Sequence, residues 1–461
     1  MNRTLAFVAL LLAGCPTSGV DDDDATTEEY DLLTPAFGSM TGYYPLTIDL
    51  SEVDMDAADV TSVTVGGIKA LDLEPGDGAI TVLVQGAPEA GDASIDLHTA
   101  DGTTRVPQRF HYDPPLDPEF DRVVAFGASL TQGVFDGTPT HDGVMLSPAL
   151  QLARVMGAYM PQPVLVDPLF PTLGLDSVGP APECDSASVA DFIRDAITDV
   201  LSEMVDPDEG LAYWVGRSDP DLQVRNLAAG NYMVDDVIVG PSADELVQNM
   251  LGGLSVDPYA PFGGGPRWTM LEAVERLEPT VIVSFDLVGN DVLSRTPLED
   301  IEEHLVPIME RLADTGAHVF LAEMPDPAIL RGNLGGPDSG DEQSQLAADV
   351  NVLLHREADD YPNVHIVPVA AEALDIATNG LSLGGQELTG GMLGGLLSFD
   401  GLHFSPTGYA LVADMFVDAI NAELDTAIPP IDAAAILADD IHSPDAVRAA
   451  GREPTECVSG G

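Results

Sequence analysis

The stretch Val123-Val124-Ala125-Phe126-Gly127-Ala128-Ser129-Leu130-Thr131-Gln132-Gly133 sets a serine between small residues at the point where an apolar run ends. This pattern predicts a strand and a tight turn into a helix, with the serine presented as a nucleophile. A serine attacks a carbonyl carbon only when a base removes its proton. Asp400-Gly401-Leu402-His403 supplies an imidazole and a carboxylate that can do so. A tight turn alone also explains a glycine near a serine. The choice between a structural turn and a catalytic serine therefore depends on the other motifs of the chain.

Strand and helix patterns alternate after Pro114-Pro115. Apolar runs typical of buried strands occur at Val123 to Phe126, Val224 to Ala228, Val281 to Val288, Val319 to Ala322 and Ile366 to Val369. Amphipathic stretches typical of helices lie between them, among them Trp268 to Leu277, Leu298 to Leu312 and Glu342 to Glu357. The alternation predicts an α/β domain with a mainly parallel sheet, at whose strand ends distant residues converge.

A different pattern covers about Thr34 to Asp113, where glycine and proline separate short runs of alternating apolar and polar residues. The runs are Leu46 to Leu50, Val60 to Val65, Ile80 to Val84 and Ala93 to Leu97. They predict antiparallel strands in a small all-β sandwich. The order of these runs, closed by Phe110-His111-Tyr112, resembles the immunoglobulin-like IPT/TIG domain, which implies a spacer or binding module.

Four motifs resemble the sequence blocks of the GDSL or SGNH hydrolases, and they occur in the family's order. They are Gly127 to Leu130, Asn226 to Gly230, Val288 to Asp291 and Asp400 to His403. The resemblance extends from Phe120 to about Pro430. It implies an α/β fold of three layers with a flavodoxin-like, mainly parallel sheet, and an ester hydrolase that works through an acyl-enzyme.

The residue chemistry and the resemblance agree on the catalytic roles. Ser129 is the nucleophile, His403 is general base and then general acid, and Asp400 orients the imidazole. The resemblance further implies an oxyanion hole made by the backbone N–H groups of Ser129 and Gly230 and by the side-chain amide of Asn290.

The chain departs from the family pattern at three positions. Ala128 stands where the family has an aspartate, and we expect this change to remove a supporting hydrogen bond but not the nucleophile. Val288 replaces a glycine. Gly230 follows Asn226 one position earlier than expected, so the N–H of Asn231 is the alternative oxyanion donor.

Composition restricts the partners and cofactors. The 461 residues include 77 Asp and Glu against 17 Lys and Arg, a formal net charge of -60. Phosphate binding needs clustered basic side chains, so nucleic acid is excluded as a partner. Such acidity is typical of a solvated surface that keeps an exported protein soluble. No metal and no cofactor is predicted, because no phosphate loop occurs and these histidines lack metal-ligand spacing: His141, His304, His318, His355, His365 and His442.

The N-terminus predicts export. Arg3 precedes the apolar run Leu5 to Leu12, which is too short to span a bilayer but suits the core of an export signal. The Ala13-Gly14-Cys15 that follows resembles a bacterial lipoprotein signal, which implies lipidation of Cys15 and anchorage at the outer membrane or cell surface. An oxidising export compartment allows Cys184 and Cys457 to form a disulfide, and the sequence leaves that pairing open.

These features divide the chain into five parts: a signal peptide (1–14), an acidic tether (15–33), the β-sandwich (34–115), the hydrolase domain (118–432) and a C-terminal tail (433–461). The predicted function is hydrolysis of carboxylic esters, with lipid acyl esters and acetylated carbohydrates both left open as substrates. Because every predicted site residue lies in the hydrolase domain, we expect the sandwich to be dispensable for the hydrolysis of small esters.

The alternative is a non-catalytic, surface-binding lipoprotein. In that case the sandwich would hold a polysaccharide or another surface partner, and the hydrolase domain behind it would be degenerate. The presence of Ser129, Asn290, Asp400 and His403 argues for the enzyme.

Overall fold

A computed structural model of the protein describes residues 31–53, 55–137, 139–164, 174–177, 205–206, 210–211, 222–230, 232–240, 268–327, 340–391 and 393–454. The predicted signal peptide, most of the tether and the residues Cys15, Cys184, Asn231 and Cys457 lie outside these ranges. Within the ranges, no helix combines the length and the apolar character that a membrane span requires.

Residues 33–113, which we call the β region, contain strands only, apart from one short 3-10 helix at Ala57–Asp59. The strands are β1 (Leu33–Thr34), β2 (Phe37–Ser39), β3 (Gly42–Asp49), β4 (Ser62–Val65), β5 (Ile68–Lys69), β6 (Leu71–Pro75), β7 (Ala79–Gln85), β8 (Gly91–Ala93), β9 (Ile95–Thr99), β10 (Gly102–Arg105) and β11 (Phe110–Asp113). They form sheets with the orders β1-β3-β7-β6, β10-β9-β4-β5 and β2-β11-β8. The predicted antiparallel pairing is confirmed except between β2 and β11, which run parallel.

Alternating residues of these strands build the core of the β region. Leu46 and Ile48 of β3 and Ile80 and Val82 of β7 are fully or almost fully buried in one apolar cluster. Successive residues of a strand point to opposite sides, so every second side chain reaches this core.

A parallel sheet organises residues 118–454, which we call the α/β region. Its strands are β12 (Val123–Ala125), β15 (Val281–Ser284), β16 (His318–Ala322) and β17 (Val364–Val367), in the order β12-β15-β16-β17. On the other side of β12, the predicted strand Val224 to Ala228 is reduced to one parallel bridge between Ala125 and Asn226. Two antiparallel hairpins accompany the sheet, β13 (Val205–Asp206) with β14 (Gly210–Leu211) and β18 (Leu381–Leu383) with β19 (Gln386–Leu388).

The described helices of the α/β region are α1 (Ser129–Gln132), α2 (His141–Met145), α3 (Pro148–Met156), α4 (Val234–Val239), α5 (Met270–Arg276), α6 (Gly289–Ser294), α7 (Leu298–Asp314), α8 (Gly340–Ala358), α9 (Val369–Asn379), α10 (Pro406–Leu424), α11 (Ala433–Asp439) and α12 (Pro444–Ala449). Short 3-10 helices lie at Pro118–Phe120 and Leu175–Ser177. The three helical stretches predicted from the amphipathic pattern correspond to α5, α7 and α8.

Helices cover both faces of the parallel sheet. Val281 and Val283 of β15 belong to an apolar cluster with side chains of α3 and α10. Ile282, between them, belongs to a second cluster with side chains of α4, α5, α7 and α8. Because both faces are buried, these strands read in sequence as continuous apolar runs.

The predicted C-terminal tail contains ordered structure. Residues 433–454 form α11 and α12, and α11 packs against α10. His442, between the two helices, has a fully buried side chain. The described part of the tail therefore belongs to the α/β region.

The β region packs directly on the α/β region. Hydrogen bonds cross the junction from the Thr41 hydroxyl to the carbonyl of Ala153 (3.1 Å) and from the N–H of Gln162 to the Tyr43 hydroxyl (2.7 Å). A shared apolar cluster joins the two regions, formed by Tyr43, Leu71, Met145, Leu150 and Val164.

Candidate active site

The predicted nucleophile Ser129 is the first residue of α1 and follows β12 after a short turn. Gly127 in that turn has a φ of 140°, which favours glycine. A Cβ atom there would lie 2.6 Å from Asp286 Oδ1 and 2.8 Å from Ser284 Oγ. Space and backbone geometry thus require the glycine, and the turn fixes Ser129 at the carboxyl end of β12.

The carboxylate of Asp286 holds this turn. Its Oδ1 accepts the N–H of Ala128 (2.8 Å) and the hydroxyl of Thr131 (2.6 Å), and its Oδ2 accepts the N–H of Leu130 (2.7 Å). Burial raises the pKa of Asp286 above its ordinary value, and these hydrogen bonds offset only part of that rise. Ala128 has no side chain that could hydrogen-bond within the turn, and Asp286, just after β15, makes these hydrogen bonds instead. The sequence did not indicate this role of Asp286.

The predicted acid and base lie in the turn before α10. A hydrogen bond of 2.8 Å joins His403 Nδ1 to Asp400 Oδ2, which also accepts the N–H of Gly137 at 2.7 Å. Asp400 Oδ1 accepts the N–H groups of Leu402 (2.8 Å) and His403 (2.9 Å). The side chains of Asp400 and His403 are only 2% and 4% exposed. Four donors thus fix the carboxylate, and the carboxylate fixes the imidazole.

These contacts keep Asp400 ionised. Burial alone would raise the pKa of this carboxyl, but the His403 imidazole and the backbone N–H donors lower it to about 2. An ionised carboxylate accepts a hydrogen bond, so its contact assigns the ring proton to Nδ1. His403 Nε2 then has a free lone pair and can accept a proton.

Ser129, Asn290 and His403 line one cavity. Apolar side chains make up most of its wall; they are Leu130, Leu293, Met324, Val369, Ala373, Ile376, Leu396, Leu397, Leu402, Phe404, Leu411, Val412 and Met415. Among the described residues, Ser129 and His403 line this cavity, and no direct hydrogen bond joins their side chains. Such bonds are often long until substrate binds.

Asn290 reaches the cavity from α6, just after β15. Its Nδ2 donates to the carbonyl oxygen of Tyr232 at 2.8 Å. Because an amide nitrogen carries two hydrogens, the second can serve an oxygen in the cavity. The backbone N–H of Ser129 is a second candidate donor, since the first N–H groups of a helix have no acceptor within it.

The backbone N–H of Gly230, a predicted oxyanion donor, has an acceptor within the protein. This N–H donates to Gln132 Oε1 at 2.9 Å, which ties the segment after Asn226 to α1. Gly230 does not occur among the described residues that line the cavity. The alternative donor, Asn231, lies outside the described ranges.

The strand order explains why these residues meet. In the sheet, β12 lies between β15 and the Asn226 segment. The chain leaves β12 toward the Asn226 segment on one side and then returns to β15 on the other side, so the direction of the strand order reverses at β12. In parallel sheets such a reversal opens a crevice at the carboxyl ends of the strands. Ser129 follows β12 at this edge, and Asp286 and Asn290 follow β15.

The arrangement contains the groups that acyl transfer needs: a hydroxyl, a base held by a carboxylate, and amide donors. Within the part of the chain that the structure describes, no group of three or more His, Cys, Asp or Glu side chains is arranged to hold a metal ion.

Comparisons with known proteins do not identify a family. No family model and no curated protein matches the chain. One similar solved structure is the full extracellular region of Plexin A4, at 19% identity over 21% of this chain and 8% of that chain, with a TM-score of 0.16. Another is SGBP-B of the Bacteroides ovatus mixed-linkage glucan utilization locus in complex with a heptasaccharide, at 18% identity over 23% of this chain and 25% of that chain, with a TM-score of 0.14. At such TM-scores neither likeness carries an argument about fold or function.

Proposed function

We propose that the protein is a serine hydrolase of carboxylic esters of the GDSL or SGNH type. One observation carries the proposal: Ser129, Asn290 and His403 line the same cavity, and the imidazole Nδ1 is hydrogen-bonded to the buried Asp400. The sequence motifs that suggested these residues are far apart in the chain, so their meeting in one cavity is independent support.

In the proposed reaction, Ser129 Oγ attacks the ester carbonyl carbon while His403 Nε2 takes the hydroxyl proton. The C–O bond to the alcohol then breaks, and His403 returns the proton to the departing oxygen. Water attacks the acyl-enzyme by the same route, which releases the carboxylic acid and restores Ser129. Asp400 stays ionised throughout and stabilises the imidazolium.

The oxyanion of the tetrahedral intermediate would be held by the N–H of Ser129 and by Asn290 Nδ2. One such donor typically lowers the barrier by about 3 kcal/mol. Gly230 is not counted among the donors, because Gln132 already occupies its N–H.

We also propose a specific fold for each of the two regions. With the Asn226 segment counted as a strand, the sheet order in chain numbering is 2-1-3-4-5, which supports a flavodoxin-like arrangement. Helices on both faces agree with three layers. For the β region we propose an immunoglobulin-like, IPT/TIG-type sandwich, supported by its antiparallel sheets around one core.

The wall of the cavity favours an acyl chain over an acetylated carbohydrate. Its apolar side chains offer few hydrogen-bond partners for sugar hydroxyls, whereas each buried methylene of an acyl chain gains about 0.8 kcal/mol. We therefore propose that the preferred esters carry an extended aliphatic acyl group.

For location, the sequence around Cys15 supports an exported bacterial lipoprotein that is anchored in the membrane. A polysaccharide or another surface partner for the β region belongs to the alternative, non-catalytic function. Cys15→Ser is expected to abolish membrane fractionation and the mass added by acyl chains. Unchanged mass and fractionation in that variant would refute the anchor.

The test of the function is hydrolysis of nitrophenyl acetate, butyrate, octanoate and dodecanoate by the purified protein. Ser129→Ala and His403→Ala are expected to lose at least about a thousandfold in kcat, because each removes a necessary participant. Ser382→Ala, at an exposed position on β18, is the matched control and should keep full activity. EDTA should have no effect, since no step uses a metal.

Turnover like that of the wild type in Ser129→Ala would refute the proposal. A folded wild-type protein without esterase activity would instead favour the non-catalytic surface-binding alternative.

A further inference from the structure

A second histidine with two carboxylate partners lies close to the proposed site and has no part in the mechanism above. His442 Nε2 lies 2.9 Å from Asp136 Oδ1, and its Nδ1 lies 2.8 Å from Asp440 Oδ1. The side chains of His442 and Asp440 are completely buried, and that of Asp136 is 2% exposed. We call these three residues the His442 cluster.

The contacts of His442 define its charge. A neutral imidazole carries one N–H, so it can donate to only one of two carboxylates, whereas the imidazolium donates to both. Burial lowers the pKa of His442, but the adjacent Asp136 and Asp440 carboxylates outweigh it and raise the pKa to about 10. Burial raises the pKa of Asp136, although its contact with His442 opposes the rise. Both imidazole nitrogens contact buried carboxyl oxygens, so moving any one of the three side chains leaves a buried polar group without its partner.

One end of the His442 cluster holds the stretch that carries Asp400. The N–H of Phe399 donates to Asp136 Oδ1 at 2.8 Å, and the N–H of Asp136 donates to Ser398 Oγ at 3.1 Å. The next N–H along, that of Gly137, donates to Asp400 Oδ2, the oxygen that also binds His403 Nδ1. Asp136 thus aligns the carboxylate that orients the proposed base.

The conformation of Asp136 needs this support. Its φ is 55°, in the left-handed region that residues other than glycine occupy at some cost in energy. The hydrogen bonds with Ser398 and Phe399 and the ion pair with His442 hold Asp136 in this conformation.

The other end of the His442 cluster holds α10, on the far side of His403. Asp440 Oδ2 accepts the N–H of Thr407 at 3.1 Å and its hydroxyl at 2.7 Å, in the first turn of that helix. The turn with Asp400 and His403 is therefore anchored on both sides by the same cluster.

We propose that His442, through Asp136 and Asp440, is a positioning residue that aligns the Asp400–His403 pair for proton transfer. It acts without touching substrate. This inference rests on the proposed esterase function. Its distinguishing consequence is that loss of His442 alters the geometry of the His403–Asp400 hydrogen bond, and so lowers kcat, while the cavity that binds the acyl chain keeps its walls.

The test compares His442→Gln with His365→Gln. His365 is the control, because it is a second histidine of the α/β region beside a carboxylate, 3.4 Å from Glu423. Its side chain is partly buried, and it lies outside the cavity and the cluster. For His442→Gln we expect kcat for nitrophenyl butyrate to fall about 100-fold, the scale of a misplacement of about 1 Å, with KM unchanged. His365→Gln should keep the kcat of the wild type.

A spectroscopic signature separates positioning from stability. The proton between His403 Nδ1 and Asp400 should give a downfield 1H NMR resonance that is absent in His403→Ala. We expect it to shift or broaden in folded His442→Gln and to stay in place in His365→Gln. A variant with a lower Tm but with the kcat and the resonance of the wild type would overturn the inference and leave His442 a purely structural role.

If the wild type has no Ser129-dependent hydrolysis, the proposed function fails, and the NMR comparison alone decides the positioning role. If His442→Gln does not fold, Asp440→Asn takes its place, because it keeps an oxygen for Thr407 and removes the charge that faces His442. It is expected to lower kcat and shift the resonance, and an unchanged kcat and resonance would overturn the inference.

Discussion

The positive charge on His442 is expected to make the free energy of unfolding fall as pH becomes alkaline. The pKa of this residue in the folded protein is raised from 6.5 to about 10 by Asp136 and Asp440, against the opposing effect of burial. A group whose pKa is raised on folding stabilises the folded state fully below its ordinary pKa, and this contribution is lost as pH rises through the folded value. The window for His442 is therefore from pH 6.5 to about 10.

We expect the Tm of the wild type to fall across this window and that of His442→Gln to fall less. Some dependence should persist in the variant, because the adjacent carboxylates of Asp142 and Asp72 also raise the pKa of His141 to about 10. His365→Gln should follow the wild type, since burial lowers the pKa of His365. Thermal unfolding followed by circular dichroism at several pH values measures the slopes. Equal slopes in His442→Gln and the wild type would show that His442 is not an imidazolium in the folded protein.

Local motifs indicated Ser129, Asn290, Asp400 and His403, because each stands in a short pattern with its own chemical logic. Asp286 and His442 had no such signal. Asp286 supports the serine turn from the segment after β15, and His442 pairs with Asp136, which is 306 positions away in the sequence. Residues that become neighbours only when the chain folds do not form a short motif that could be recognised in the sequence. The departure at Ala128 was a clue that another group must hold the turn.

At the scale of elements, α9 forms part of the cavity wall. Val369, Ala373 and Ile376 line the cavity, and their spacing puts them on one face of the helix. Ala373 is the smallest of the three, so a larger side chain there takes volume from the cavity. Leu374, the next residue, is 51% exposed on the opposite side.

Ala373→Trp is expected to shorten the preferred acyl chain. Each methylene that no longer fits loses about 0.8 kcal/mol of burial, or about fourfold in kcat/KM. The ratio of kcat/KM for nitrophenyl dodecanoate to that for the acetate should therefore fall by more than tenfold, while acetate hydrolysis is kept. Leu374→Trp adds the same side chain to the exposed side of α9 and should leave the ratio unchanged. An unchanged ratio in Ala373→Trp would show that the acyl chain does not occupy this cavity.

The sequence indicated strands correctly where both faces of the strand are buried. It placed the end of a strand wrongly where a helix follows closely. The runs at β12, β15 and β16 were recognisable because both faces of these strands are buried. The last predicted strand was displaced toward its C-terminus: β17 ends at Val367, and Val369 already begins α9 after Pro368. An apolar run does not reveal where a strand gives way to a helix, since both bury the same residues.

At the scale of the whole molecule, the structure shows a contact between the β region and the α/β region that the sequence did not indicate. The sequence led us to expect a dispensable sandwich, because no predicted site residue lies in it. The β region, however, covers Met145, Leu150 and Val164 of the α/β region, and α2 and α3 follow directly after the helix of Ser129. Sequence patterns within each region carry no information about a contact between them.

A chain of hydrogen bonds connects this junction to α1. The N–H of Gln162 donates to the Tyr43 hydroxyl at 2.7 Å, and Gln162 Oε1 accepts from Asn226 Nδ2 at 3.0 Å. Asn226 Nδ2 also donates to the carbonyl of Thr131, within the helix that begins at Ser129. The β region should therefore stabilise the turn of the nucleophile, and a chain that begins near Asp117 should lose stability and, with it, activity.

Tyr43→Phe tests this coupling in the complete chain. The change leaves the buried N–H of Gln162 without its acceptor, which should lower the free energy of unfolding by about 1–3 kcal/mol. Tyr44→Phe is the matched control, because the Tyr44 hydroxyl donates to the carbonyl of Ser39 within the β region and is only partly buried. In urea, Tyr43→Phe should lose ester hydrolysis and circular dichroism together, at a lower midpoint than Tyr44→Phe, because the two regions unfold as one unit. Separate transitions would show that the α/β region is stable without the β region and would restore the independence that the sequence suggested. A midpoint in Tyr43→Phe equal to that of the wild type would show that the Tyr43 hydroxyl does not couple the two regions.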